Sequence, residues 1–273
     1  MVTSSRRRTL IVAVVLTAVA IFAVVAYANH SWANYHWART SNPFTVKLGD
    51  NTTGSWPGYL SIASGDWSQS IVLDTIVVAG GTGGARRCPA TLGRDEICNG
   101  KYGQNGWLGI ASIWANGDHI TQGTVKLNDT YFNMAQYNTP DWRQFVVCQE
   151  VGHTFGLDHQ DTTFGNYNLG TCMDYTNAPA GGTVGGFNYG PSNEHPNQHD
   201  YDELVTIYTH LDTTNTSFQP IQHGAAAGND SSEWGRLIRS TNDGRTSLFE
   251  RDYGDGNKMF TFVIWADQAE AGE

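Results

Sequence analysis

Residues 148–159 read Cys148-Gln-Glu-Val-Gly-His-Thr-Phe-Gly-Leu-Asp-His159, and the reading of this stretch decides the fold. Gln149 and His153 are four apart, so on a helix they leave the same face, with Glu150 beside them. Gly156 can adopt a left-handed conformation and stop the helix, which lets His159 turn back toward the same point from outside. Three neutral donors, Gln149, His153 and His159, with a carboxylate nearby describe a catalytic zinc site with a position open for water. Zinc would acidify that water and polarise a peptide carbonyl. Glu150 would take the proton as general base and pass it to the leaving amine.

The flanks support a helix here. Thr139-Pro140-Asp141 supplies an N-cap, a proline for the first turn and an acid at the positive end of the helix dipole, so a helix can run over Trp142 to Phe155. After His159 comes Thr171-Cys-Met-Asp-Tyr175. Together the two stretches resemble the metzincin zinc-peptidase signature, HExxHxxGxxH followed by a Met-turn, and within that clan look most like the matrixin type. The one departure is Gln149, which stands where the family has its first His. A Gln oxygen is as many bonds from Cα as the far ring nitrogen of His, so it reaches the same place. It is a harder, less oriented donor than imidazole, and the expected site binds zinc less tightly than three His would.

The resemblance spans about residues 44–211, with its specific part at 149–175. It implies a mixed, twisted α/β (α+β) sheet with an active-site helix and a Met-turn, zinc as cofactor, structural calcium as in many relatives, and a protein or peptide substrate. Met173 would support the metal from below, and Tyr175 matches a Tyr that assists near the metal in some families. Because the Met-turn passes beneath the ligand helix in such a fold, Cys148 and Cys172 would be bridged, closing a loop worth about 3 kcal/mol. The alternative is an inactive metzincin-like exported binding protein whose degenerate site holds peptides without cutting them. His119, His195 and His199 could each replace the missing ligand, but none has ligand spacing to His153, and they read as surface or loop residues.

The remaining chain reads as mixed α/β. Phe44–Leu48 and Ile71–Ala79 have strand character, with helical spacing at Tyr59, Leu60, Ile62, Ala63 and Trp67 between them. Gly106–Trp114 and Thr124–Asn128 are strand candidates separated by the hairpin signal Asn116-Gly117; the first reads either as an edge strand that pairs with an extended substrate or as an inner strand. Thr176–Pro191 is a Gly-rich loop, and Asp200–Leu211 carries the stripe of an amphipathic helix. Asp212–Ser232 has the composition of a linker, followed by three strand candidates that suggest a small C-terminal β appendage.

Arg6, Arg7 and Arg8 precede an apolar run over Leu10–Tyr27, and Ala26-Tyr27-Ala28 offers a cleavage pattern. Residues 1–28 therefore read as a signal peptide or as an N-terminal membrane anchor, and both place the folded part outside the cytoplasm. The expected organisation is 1–28 export segment, 29–212 catalytic domain and 213–273 linker with β-rich extension. Four cysteines suit an oxidising compartment, and Cys88 with Cys98 would close a short loop. A net charge of −10 argues against nucleic acid as partner, and 9 Trp, 12 Tyr and 11 Phe argue against disorder. The expected state is a monomer.

Overall fold

The computed structural model describes residues 30–81, 86–217, 223–241 and 244–267, so the expected export segment lies outside the described residues. The chain begins with a two-residue strand, β1 (His36–Trp37), and continues through β2 (Phe44–Asn51), α1 (Trp56–Trp67) and β3 (Leu73–Ala79). There follow β4 (Pro89–Thr91), β5 (Asp95–Gly100), and the hairpin of β6 (Trp107–Asn116) and β7 (His119–Asn128), which turns at Gly117 with φ 58°. Helices α2 (Asp129–Phe132) and α3 (Pro140–His153) lead into the motif loops. Beyond them lie β8 (Thr183–Val184), β9 (Phe187–Asn188), α4 (Gln198–Ile207) and β10 (His223–Ala226). The chain ends in β11 (Arg236–Ser240), β12 (Thr246–Gly254) and β13 (Asn257–Trp265).

The fold is mixed α/β, as expected. Nine strands form the main sheet in the order β11-β12-β13-β6-β7-β5-β2-β3, with β1 added to the start of β7. The β1, β2, β3, β5 and β7 pairings are parallel, and β6, β13, β12 and β11 join antiparallel. Helix α3 starts as its sequence requires: the Thr139 side chain accepts from the Trp142 amide and Pro140 occupies the first turn. Its apolar residues Phe145, Val146, Val147 and Val151 are buried in one core with Leu48, Leu60, Trp67, Ile97, Ala111 and Val125. Helix α4 is fastened by a capping box that the sequence reading passed over, with the Asn197 side chain accepting from the Asp200 amide and the Asp200 carboxylate accepting from the Asn197 amide.

The C-terminal strands differ from the expected appendage: they are the outer part of the main sheet. Strand β13 pairs with β6 along its length, from Asn257 opposite Asn116 to Ile264 opposite Gly109. Leu248, Phe260, Phe262 and Ile264 enter the central core, while Val263 and Phe249 face a second cluster with Trp107 and Trp234. The physical reason is that β6 would otherwise present a row of unpaired backbone groups, and period-two alternation gives β13 an apolar side chain for each face. The segment read as a linker is also fastened, because the buried Lys126 ammonium bonds the Ala227 carbonyl at 2.5 Å and Asn229 Oδ1 at 2.8 Å. Among the described residues no helix is long and apolar enough to cross a membrane.

Candidate metal centre

Helix α3 ends at His153, and Gly156, with φ 95°, makes the turn behind it. A side chain at 156 would strike the Tyr35 carbonyl, so the position needs glycine both for its conformation and for space. The chain then returns His159 to the helix end, where its Nε2 lies 2.9 Å from Nε2 of His153. The outer ring nitrogens settle the tautomers. His153 Nδ1 is 2.8 Å from the Leu157 carbonyl, which can only accept, so Nδ1 carries the proton. His159 Nδ1 is 3.3 Å from Asp158 Oδ1. Burial alone would raise the Asp158 carboxyl, but hydrogen bonds and charge from His159 and Arg239 outweigh it and hold it below the ordinary range, so it accepts as a carboxylate. Two Nε2 lone pairs therefore face one another. Burial lowers the pKa of both rings, further for His153, whose neighbour His159 adds to the effect.

Gln149 is fully buried one turn before His153. Its amide donates to the Cys172 carbonyl at 2.8 Å, which leaves Oε1 as the free end; that atom has no hydrogen-bond partner. Glu150 Oε2 is likewise buried without a partner. Burial pushes the Glu150 carboxyl well up, against a hydrogen bond with the Ala111 backbone. The two opposed imidazole lone pairs of His153 and His159 are a donor pair for a cation, and the helix that carries His153 also carries two buried side-chain oxygens without partners, on Gln149 and Glu150.

The floor is built as the motif suggested. Cys148 is bonded to Cys172, and Cys88 to Cys98. Met173 is fully buried under the helix: a Cβ on Gly152 would sit 2.7 Å from its sulfur and 2.7 Å from the Trp67 indole, which explains the glycine between Val151 and His153. The Tyr175 ring lies 4.2 Å from that of His159, and its hydroxyl is bonded to the Thr246 side chain.

Sequence reading missed what covers the centre. The Phe262 ring of β13 stacks on His153 at 4.2 Å and 9°, and Arg239 of β11 holds both oxygens of Asp158 at 2.6–2.7 Å. The cavity left beside His159, Arg239 and Phe262 is about 10 Å³, at most the room of one water. Strand β6 is an inner strand, so the edge that an extended peptide would use is occupied by β13. No local signal in residues 236–265 could have revealed this, because a strand's partner is not written in its own alternation. His195 pairs with Asp66, His199 lies against His30, and His119 lies against Asp212, so none of them joins His153 and His159.

No protein-family model matches the chain, and no curated protein does. Solved structures similar to it include the crystal structure of myroilysin, with 12% identity over 68% of this chain and 97% of that one at a TM-score of 0.32. A second structure of myroilysin has 14% identity over 63% and 96%, also at 0.32. High choriolytic enzyme 1, a hatching enzyme zinc-protease from Oryzias latipes (Medaka fish), has 11% identity over 65% and 96% at 0.36.

Proposed function

We propose that the chain is an extracytoplasmic zinc-dependent endopeptidase of metzincin, matrixin-like type, with Gln149, His153 and His159 as metal ligands and Glu150 as general base. The observation that carries this reading is the 2.9 Å approach of two neutral imidazole nitrogens, with the buried Gln149 oxygen left without a partner one turn earlier on the same helix. Zinc, when bound there, supplies Lewis acidity toward a peptide carbonyl and acidifies water. Glu150 holds the proton: its raised pKa is the direction that a base working near neutral pH needs. Leu157 and Asp158 orient the two rings through their outer nitrogens, and the Cys148–Cys172 bridge ties the ligand helix to the Met-turn. Met173 supports the ligands from below, and Tyr175 stands beside His159. The two disulfides and the export segment support an oxidising, extracytoplasmic location.

The packing of β13 and Phe262 favours a second reading, a metal-binding domain of this type that does not cut. Zinc content and hydrolysis of an unfolded protein, measured for the parent, Glu150→Ala, His153→Ala and Gln149→His, separate the two. The first reading expects Glu150→Ala to lose about 10²–10⁴-fold in rate while keeping its zinc, His153→Ala to lose zinc, and Gln149→His to bind it more tightly. Zinc that depends on His153 in a parent without hydrolysis selects the second reading. Parent zinc content unaffected by His153→Ala, with no hydrolysis, sinks both.

A further inference from the structure

On the far side of the N-terminal segment, three imidazoles and one carboxylate meet from three distant parts of the chain. His36 lies in β1, His119 opens β7, and His210 and Asp212 follow α4. His36 Nε2 is 3.1 Å from His210 Nε2 and 3.5 Å from Asp212 Oδ2. Asp212 Oδ1 is 3.2 Å from His119 Nε2 and 3.4 Å from His210 Nε2. A tetrahedron with zinc's usual ligand distances of 2.0–2.1 Å has edges of about 3.3–3.4 Å. The candidate donor atoms of His36, His119 and Asp212 all lie within 4.8 Å of one another. The His36 ring stands nearly perpendicular to those of His119 and His210, at 84° and 86°, with ring centroids 5.1 and 4.6 Å apart.

The atoms behind the donors are fixed as well. His36 Nδ1 lies 2.5 Å from the Asn34 carbonyl, which can only accept, so the ring's lone pair is at Nε2, facing the cluster. Asp212 Oδ2 accepts from the Arg39 guanidinium at 2.9 Å and from the Arg39 amide at 3.2 Å, while the Asp212 amide returns a bond to the Arg39 carbonyl. The fully buried Arg39 therefore locks the carboxylate, with Oδ1 toward His119 and His210 and Oδ2 the oxygen nearer His36. A cavity of about 360 Å³ opens beside His36, His119 and His210, so an ion can reach them from solvent.

We propose that His36, His119, His210 and Asp212 form a second, structural zinc-class site that clasps the N-terminal segment to the β6–β7 hairpin and to the chain following α4. Four protein donors close the coordination sphere, which is the arrangement of a structural ion and leaves no position for substrate. The clasp reaches the first centre through the backbone: Trp32 donates to the Gly156 carbonyl and His30 accepts from Asp158, so the segment it anchors also lines the turn that returns His159.

The test is metal stoichiometry on the full secreted chain loaded with zinc alone and dialysed, for the parent, His119→Ala/His210→Ala, and His153→Ala. The double variant removes the two more exposed rings, with side chains 38% and 55% exposed, so the core is untouched. We expect it to lose one zinc that His153→Ala retains, and to lose the rise in Tm which that zinc gives the parent. Asp212→Asn, read the same way, and the cobalt absorption of the parent, which reports a tetrahedral N₃O set directly, cover the case of a misfolded double variant. The site is overturned if the double variant keeps the parent's full zinc content, or if the loaded parent shows no cobalt spectrum beyond one that His153→Ala abolishes. The proposed peptidase centre can fail while this site stands, since its zinc follows His153 and this one follows His119.

Discussion

The two histidine clusters use similar donors in opposite settings. His153 and His159 are shut beneath Phe262, with Gln149 and Glu150 buried beside them, whereas His119 and His210 border an open cavity. The first cluster is built on one helix and the loop that leaves it, and a covalent bridge holds its floor. The second is gathered from β1, β7 and the segment after α4, with Arg39 setting the carboxylate. A short local motif can be covered by the rest of the fold and still keep its geometry. A cluster assembled across the chain depends on the fold for its existence.

The contrast can be broken most strongly at the cover. Replacing Phe262, which is 2% exposed and stacked on His153, by Ala should destabilise the fold by about 3–5 kcal/mol. It should also speed chelator removal of the His153 ion without changing the rate for the ion at His119. Urea unfolding and stopped-flow chelation measure these, and equal exchange at the two sites in the parent would remove the contrast. A smaller effect is expected at the floor. Changing Cys148 and Cys172 together to Ser should lower stability by about 3 kcal/mol and weaken metal retention at His153 only, read from the urea midpoint and from zinc content.

The smallest expected effect concerns His30, between the clusters. Its pKa is lowered to about 4, first by burial and then by repulsion from His199. The unfolded chain takes up this proton near pH 6.5, before the folded chain does. The contribution of His30 is therefore complete above about 6.5 and is lost as the pH falls toward about 4. Buried carboxyls such as Asp95 and Glu150, raised by burial, act in the opposite sense, so the comparison with His30→Gln isolates the term. The variant's urea midpoint should fall less steeply than the parent's between those pH values, and parallel curves would exclude the role given to His30.

Legibility followed sequence distance. Thr139, Pro140 and Gly156 marked the ends of α3 because caps and left-handed turns are local, and helical spacing showed that Gln149 and His153 lie one turn apart on it. Strand β5 was not: Asp95 and Glu96 are fully buried inside a strand that shows no alternation, and they are tolerated because Thr154 bonds one and Arg94 the other. The short β1 was hidden in an aromatic lead-in, and Asp212 in a stretch with linker composition.

By itself the sequence determined the helix that ends at His153, its turn at Gly156 and three C-terminal strands, since each depends on residues within a few turns of one another. Only the tertiary structure decided that β13 would lie on β6, that Phe262 and Arg239 would cover the centre, and that His36, His119, His210 and Asp212 would meet. Backbone pairing accepts almost any partner strand, and the choice is made by which faces the whole core can bury.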